Sequence, residues 1–117
     1  MKKPNITWIK DWRISTIPSR EVHVSKELIE IFNKFWEITN LDQKSKSTIN
    51  RYSCAFHRLG GYLVEQSILE ENMDKTSIEL LLENVSSFEG PLIYHDNEQW
   101  QNEFDTVCRR LYKHLKN

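Results

Sequence analysis

Lys44, Lys46, Arg51 and Arg58 are the residues of this sequence with the clearest chemistry, and that chemistry is the binding of anions. They are the only formally charged side chains between residues 43 and 64, an interval without aspartate or glutamate in a chain of net charge −1. On a helix Arg51 and Arg58 fall on one face, with Lys46, Asn50 and His57 beside that line. Arginine and lysine on one side of a helix, with Ser47, Thr48 and unpaired backbone N–H groups at its start, can position a phosphate backbone without reading sequence. A solvated face paired with acidic parts of the same chain gives the same pattern, and so does a face that meets acids supplied by a partner.

Catalytic chemistry has less to stand on. His23, His57, His95 and His114 are dispersed, and only His95, Asp96 and Glu98 cluster as ligand types, without HExxH or CxxC spacing. Asp96 has a plainer reading as a helix cap. Cys54 and His57 fall three residues apart on one helix, but no acid orients them, so a nucleophilic pair is not implied. "LGGY" lies inside a helix pattern instead of between a strand and a helix, so it is no phosphate loop. No enzyme, metal or cofactor is implied.

The elements that must carry the basic residues read as helical. Three glycines and three prolines in 117 residues disfavour a fold of many short strands. The first sustained period begins at Ser25, an N-cap with a Val24/Ile29 staple, and runs to about Thr39. Leu28, Ile31, Phe32, Phe35 and Trp36 form its apolar face, with Ile29 and Ile38 at the edges. A polar loop, "NLDQKSKS", precedes a second helix from Ser47 to about Ser67 with the stripe Ile49, Tyr52, Phe56, Leu59 and Leu63. Gly60 and Gly61 interrupt it at about 1 kcal/mol each relative to alanine, which requires either a close backbone crossing or a kink.

A third helix is expected over 74–86, capped by Asp74 or Thr76, with Ile78, Leu81, Leu82 and Val85 inward. Gly90-Pro91 turns a connector whose Leu92, Ile93 and Tyr94 tuck against the core. A fourth helix is expected from Asp96, with Gln99 completing a capping box and Trp100, Phe104, Val107, Cys108, Leu111 and Leu115 on its inner face. Arg109, Arg110, Lys113, His114 and Lys116 in its last turns suit the helix dipole and need no other explanation. Residues 1–24 lack a helical period and contain Pro4 and Pro18, so they are expected to form an extended arm. Trp8 and Trp12 in that arm, with Tyr94 in the connector, are candidates for a partner interface; packing of a tethered arm onto the core explains them equally well.

The quoted residues carry a family resemblance. A polar loop, Ser47-Thr48 as helix start, Tyr52, Phe56, Leu59 and Tyr62-Leu63, preceded by a helix like Leu28 to Trp36, resembles the SAM-like core-binding domain of phage integrases and other tyrosine recombinases. The resemblance covers residues 25 to 67. It implies a DNA-clamping domain, with phosphate-backbone roles for Lys44, Lys46, Arg51 and Arg58. The separate catalytic domain of that family has no counterpart here, so strand cleavage does not carry over.

The whole therefore reads as all-α: one domain over 1–117, with a compact four-helix SAM-like bundle at 25–117 behind the arm at 1–24. Mean hydropathy is −0.63 and the longest apolar run is far too short for a bilayer. The N-terminus has lysines but no apolar stretch of a secretory leader, and the two cysteines read as small, at least half-buried hydrophobes, so a cytoplasmic location is expected. Charge is segregated: residues 65–105 hold eleven acids and one base, whereas 106–117 hold four bases and no acid. Two functions follow: a non-catalytic domain that binds double-stranded DNA through its second helix, or a helical interaction module that pairs with itself or with another protein.

Overall fold

Burial of two tryptophans organises the start of the chain, in a computed structural model that describes residues 3–117. Trp8 opens a single helical turn, α1 (Trp8–Asp11), and Trp12 caps its end; both are buried. The segment is thus a helical turn and a tight loop, which replaces the extended arm expected from its aperiodic sequence.

The loop leads into α2 (Pro18–Ile38), which begins seven residues before the Ser25 cap read from the sequence. Pro18 fits the first helical position because its φ is preset and it has no N–H to satisfy. The loop in front of it is held by Glu21. One carboxylate oxygen accepts from the backbone N–H groups of Ile14 and Ser15 (2.7 and 2.9 Å), and the other from those of Thr16 and Ile17 (2.9 and 2.7 Å). A left-handed turn at Ser15, φ 69°, curls these four donors toward one anion. Ser25 itself is buried inside the helix.

α3 (Lys46–Ser67) returns antiparallel along α2: Phe32 stacks on Phe56 at 4.6 Å, and Phe35 on Tyr52 at 5.9 Å. Its expected stripe holds, with Tyr52, Phe56, Leu59 and Leu63 buried and Ile49 packed at the margin. Ser45, two residues before the cap read from sequence, accepts from the Thr48 N–H. Gly60 and Gly61 do not interrupt the helix. What approaches them is a side chain: the Trp12 indole lies across Gly60 and donates to the His57 carbonyl at 2.9 Å.

At the far end of the pair, the Arg20 guanidinium donates to the carbonyls of Ser67, Asn72 and Lys75. That bridge joins the first turn of α2 to the link before α4 (Ser77–Asn84). Thr76 caps α4 in a reciprocal box with Glu79, whose carboxyl is held below its ordinary range by the Thr76 backbone N–H and hydroxyl. α4 is shorter than expected and turned differently: Leu80 and Leu81 are buried, whereas Ile78 is exposed. Four apolar residues in eight positions, three of them consecutive, offer more than one face, and packing against both α2 and α3 selects among them.

α5 (Glu98–Lys116) is capped by Asn97, not Asp96, through a bond from the Trp100 N–H at 3.0 Å. The connector before it is clamped by Gln101, which accepts from the N–H groups of Ile93 and Tyr94 and donates to the Pro91 carbonyl and to Asp105. Replacing Gln101 with alanine is expected to cost about 2 kcal/mol, because two partly buried N–H groups lose their acceptor. Urea denaturation checks it; a loss below about 0.5 kcal/mol would show that water replaces those bonds. Phe104, Val107, Cys108 and Leu111 face the core as expected, and Leu115 packs against it. Trp100 does not: the Tyr94 ring covers Phe104 at 6.1 Å, and Trp100, 5.8 Å from Tyr94, is left 57% exposed.

Helices α2 to α5 make the four-helix bundle, with α1 laid over α3. Among the described residues there is no strand, and no helix is long and apolar enough to cross a membrane.

Candidate nucleic-acid interface

The four basic residues singled out above all lie at the surface, but the structure does not gather them into one site. Lys44, just ahead of the helix, lines a depression of about 400 Å³ at the end of the bundle where α3 starts and α5 finishes. Arg51 and Arg58 line a groove of about 420 Å³ along the seam between α3 and α5. Lys46 is exposed on the first turn and lines neither.

Antiparallel packing of α3 and α5 brings Arg110, Lys113 and His114 to the depression that Lys44 lines, with Thr48 and Tyr52 between them. No aspartate or glutamate side chain borders it. The Tyr52 hydroxyl accepts from Arg110 at 2.7 Å, which fixes that guanidinium over the first turns of α3. His114 stands edge-on to Phe35 at 5.3 Å. Lys44 and Lys113 make no side-chain bond among the described residues, so their ammonium groups remain available to an anion. Arg109 is otherwise engaged, donating to the Phe88 carbonyl and to Thr106. The helix dipole accounts for bases at the end of α5, but the shared depression is a feature of packing that neither segment shows alone.

The seam groove has different chemistry. Asn50, Arg51, Cys54 and Arg58 form its α3 side, and Trp100, Glu103 and Tyr94 the other. The Arg58 guanidinium sits 6.0 Å from the centre of the Tyr94 ring, within cation–π range. Among the described residues neither Arg51 nor Arg58 is within 4 Å of a carboxylate, so Glu103 shares the groove without an ion pair to either. Cys54, expected to be at least half-buried, is exposed here, because one step of 100° past Ser53 takes it off the core face.

Trp8 and Trp12, read as partner-interface candidates, lie inside the domain against α3, with ring centres 5.8 Å apart. Tyr94 is half-buried under Arg58. The aromatic surface facing solvent belongs instead to Phe88 and to Trp100, the second of which sequence periodicity assigned to the core.

The remaining candidates stay apart. His57 pairs with Asp11 at 3.0 Å and its ring packs against Trp8, while Cys54 turns toward the seam, so no bond joins thiol to imidazole. His95 borders a separate depression with His57, and Glu98 is exposed on the first turn of α5. Among the described residues no three His, Cys, Asp or Glu side chains are grouped closely enough to hold a metal ion. Cys108 is sealed in the core, where burial and then the nearby Asp105 charge push its thiol far above the ordinary range.

Comparison of the chain with protein-family models, curated proteins and solved structures finds no match. The likeness to recombinase core-binding domains therefore rests on the quoted residues alone.

Proposed function

We propose that this chain is a non-catalytic nucleic-acid-binding domain that engages the phosphate backbone through the basic end of the bundle. The observation that carries the reading is the depression shared by Lys44, Arg110, Lys113 and His114. Lys44 from the loop ahead of α3 and Arg110 and Lys113 from α5 line it together with Thr48, and no aspartate or glutamate side chain borders it. Such a site attracts a polyanion and releases its condensed counterions on contact. Arg51 and Arg58 extend the positive surface along α3, and the acids of residues 65–105 fall largely outside it. The reading places the chain in the cytoplasm, where its two free thiols stay reduced. A protein partner is the second reading, favoured by the exposure of Trp100, Leu92 and Phe88.

The test is fluorescence anisotropy of a labelled nucleic acid at low and physiological salt, with Lys44→Glu/Lys113→Glu as the variant because neither side chain bonds elsewhere. The native chain is expected to bind with affinity that falls steeply as salt rises. The folded double variant, checked by circular dichroism, should bind roughly tenfold more weakly or worse and with a shallower salt slope. Absence of native binding at low salt would remove this reading and leave the protein partner.

A further inference from the structure

We propose further that the seam groove between α3 and α5 seats an unpaired nucleobase, so that the preferred ligand is a single strand. This rests on the phosphate-backbone reading above and adds the form of nucleic acid. The groove combines three groups that a nucleotide needs together and a duplex surface does not. Trp100 offers a largely free indole face, braced by the Tyr94 ring at 5.8 Å. Bases of any identity stack on such a face, whereas bases within a duplex are already stacked on one another. Arg51 and Arg58 stand seven residues apart, about 10 Å along the helix, and bracket the groove floor at Cys54 and Ala55. They can hold phosphates on either side of a seated base.

Glu103 supports the same assignment. Its carboxylate repels a phosphate but accepts a hydrogen bond from an exocyclic amino group of cytosine or adenine. A carboxylate beside an aromatic face, within a rim of guanidiniums, suits a base pointing inward and a backbone running outside. The path is continuous with the basic end: Ser47 borders the groove and Thr48 the depression, so a strand held by Lys44 and Lys113 passes along α3 to Arg51 and then Arg58.

Cys54 provides a reporter inside the groove, since it is exposed while the other thiol, Cys108, is buried. The experiment compares a labelled single-stranded oligonucleotide, the duplex of the same sequence and the corresponding mononucleotides at one salt concentration. Native protein and the surface variant Trp100→Ala are measured side by side, together with the rate at which iodoacetamide alkylates Cys54. The single strand is expected to bind roughly tenfold more tightly than the duplex and to slow alkylation of Cys54. Trp100→Ala should remove that preference, lowering single-strand affinity by about tenfold and leaving duplex affinity unchanged.

Duplex binding equal to or tighter than single-strand binding, with Trp100→Ala silent and Cys54 unprotected, would overturn the seated base while the backbone reading stands. Mononucleotides that match the single strand at equal phosphate concentration would overturn a strand as ligand. No binding of either nucleic acid at low salt would remove both readings at once.

Discussion

Glutamine in place of Glu21 should destabilise the protein by about 2–4 kcal/mol near neutral pH, although the change is nearly isosteric. Each of four backbone N–H groups, from Ile14 to Ile17, points at one or other carboxylate oxygen. An amide keeps one oxygen and turns the second position into a donor, which then faces two further donors. Leaving partly buried donors unpaired costs about 1–2 kcal/mol each, and the charge-assisted character of the bonds is lost as well. Equilibrium urea denaturation measures the difference; a cost under about 1 kcal/mol would mean that the loop relaxes onto solvent instead.

The pH dependence separates this mechanism from simple mispacking. Burial by itself would raise the Glu21 carboxyl, but the backbone bonds from Ile14, Ile17, Ser15 and Thr16 together outweigh it and hold the group below its ordinary range. A carboxyl depressed in the folded state binds its proton less readily than in the unfolded chain. Its contribution is therefore complete above the unfolded value, about 4.3, and is lost as pH falls through the lower folded value. The gap between the native protein and Glu21→Gln should thus be constant at neutral pH and narrow in acid. A gap independent of pH down to the acid transition would contradict the charged cage.

The second large effect is expected at Gly60. A methyl group there would stand 2.2 Å from Trp12 Cζ2 and 2.3 Å from Cη2. The indole cannot retreat, since it is buried and tied by its N–H to the His57 carbonyl. Alanine gains about 1 kcal/mol of helix propensity, yet overpacking a rigid contact this close costs about 3 kcal/mol, the upper end of the usual range, so Gly60→Ala should lose about 2 kcal/mol net. At Gly61 the nearest atom, Trp12 Cδ1, would be 3.3 Å away, and Gly61→Ala should fall within about 0.5 kcal/mol of the native protein. A double-mutant cycle completes the test: against Trp12→Ala, the Gly60→Ala change should become neutral or stabilising. An unchanged penalty in that background would place the cause elsewhere.

These two sites also show where the sequence was readable. The stripes of α3 and α5 were legible because apolar steps of three and four define a face without knowledge of the partner. The start of α2 was not, because its loop is held by a glutamate inside the helix reaching back four to seven residues, a pattern unlike a Ser, Thr, Asp or Asn cap. The paired glycines announced a close approach, but nothing local identifies a tryptophan some forty-eight residues earlier as what approaches. Trp100 shows the converse failure. Periodicity assigns it to the inner face, but whether a helix has a neighbour at its first turn depends on where the connector runs.

The candidate interface divides the same way. Lys44, Lys46, Arg51 and Arg58 stood out through the missing acids around them. Their division between two depressions, and the union of Lys44 with Arg110, Lys113 and His114, follow from antiparallel packing of helices distant in sequence. The bases of α5 had a sufficient local explanation in the dipole, which hid their second role. Leu80 was overlooked because the consecutive run of leucines at 80–82 carries little directional information.

The tethers of the N-terminal segment bear on how the molecule comes apart. Chain ends ordinarily fray first, at little cost and independently of the rest. Here residues 8 to 17 are attached at several points, by the Trp12 indole over α3, by Asp11 on His57 of α3 and by four loop amides on Glu21 of α2. Detaching them would at once uncover a glycine face and strip the Glu21 carboxylate of its four backbone donors. The first stretch of the chain is therefore expected to unfold together with the bundle, with its amides exchanging at the global rate instead of a faster, local one.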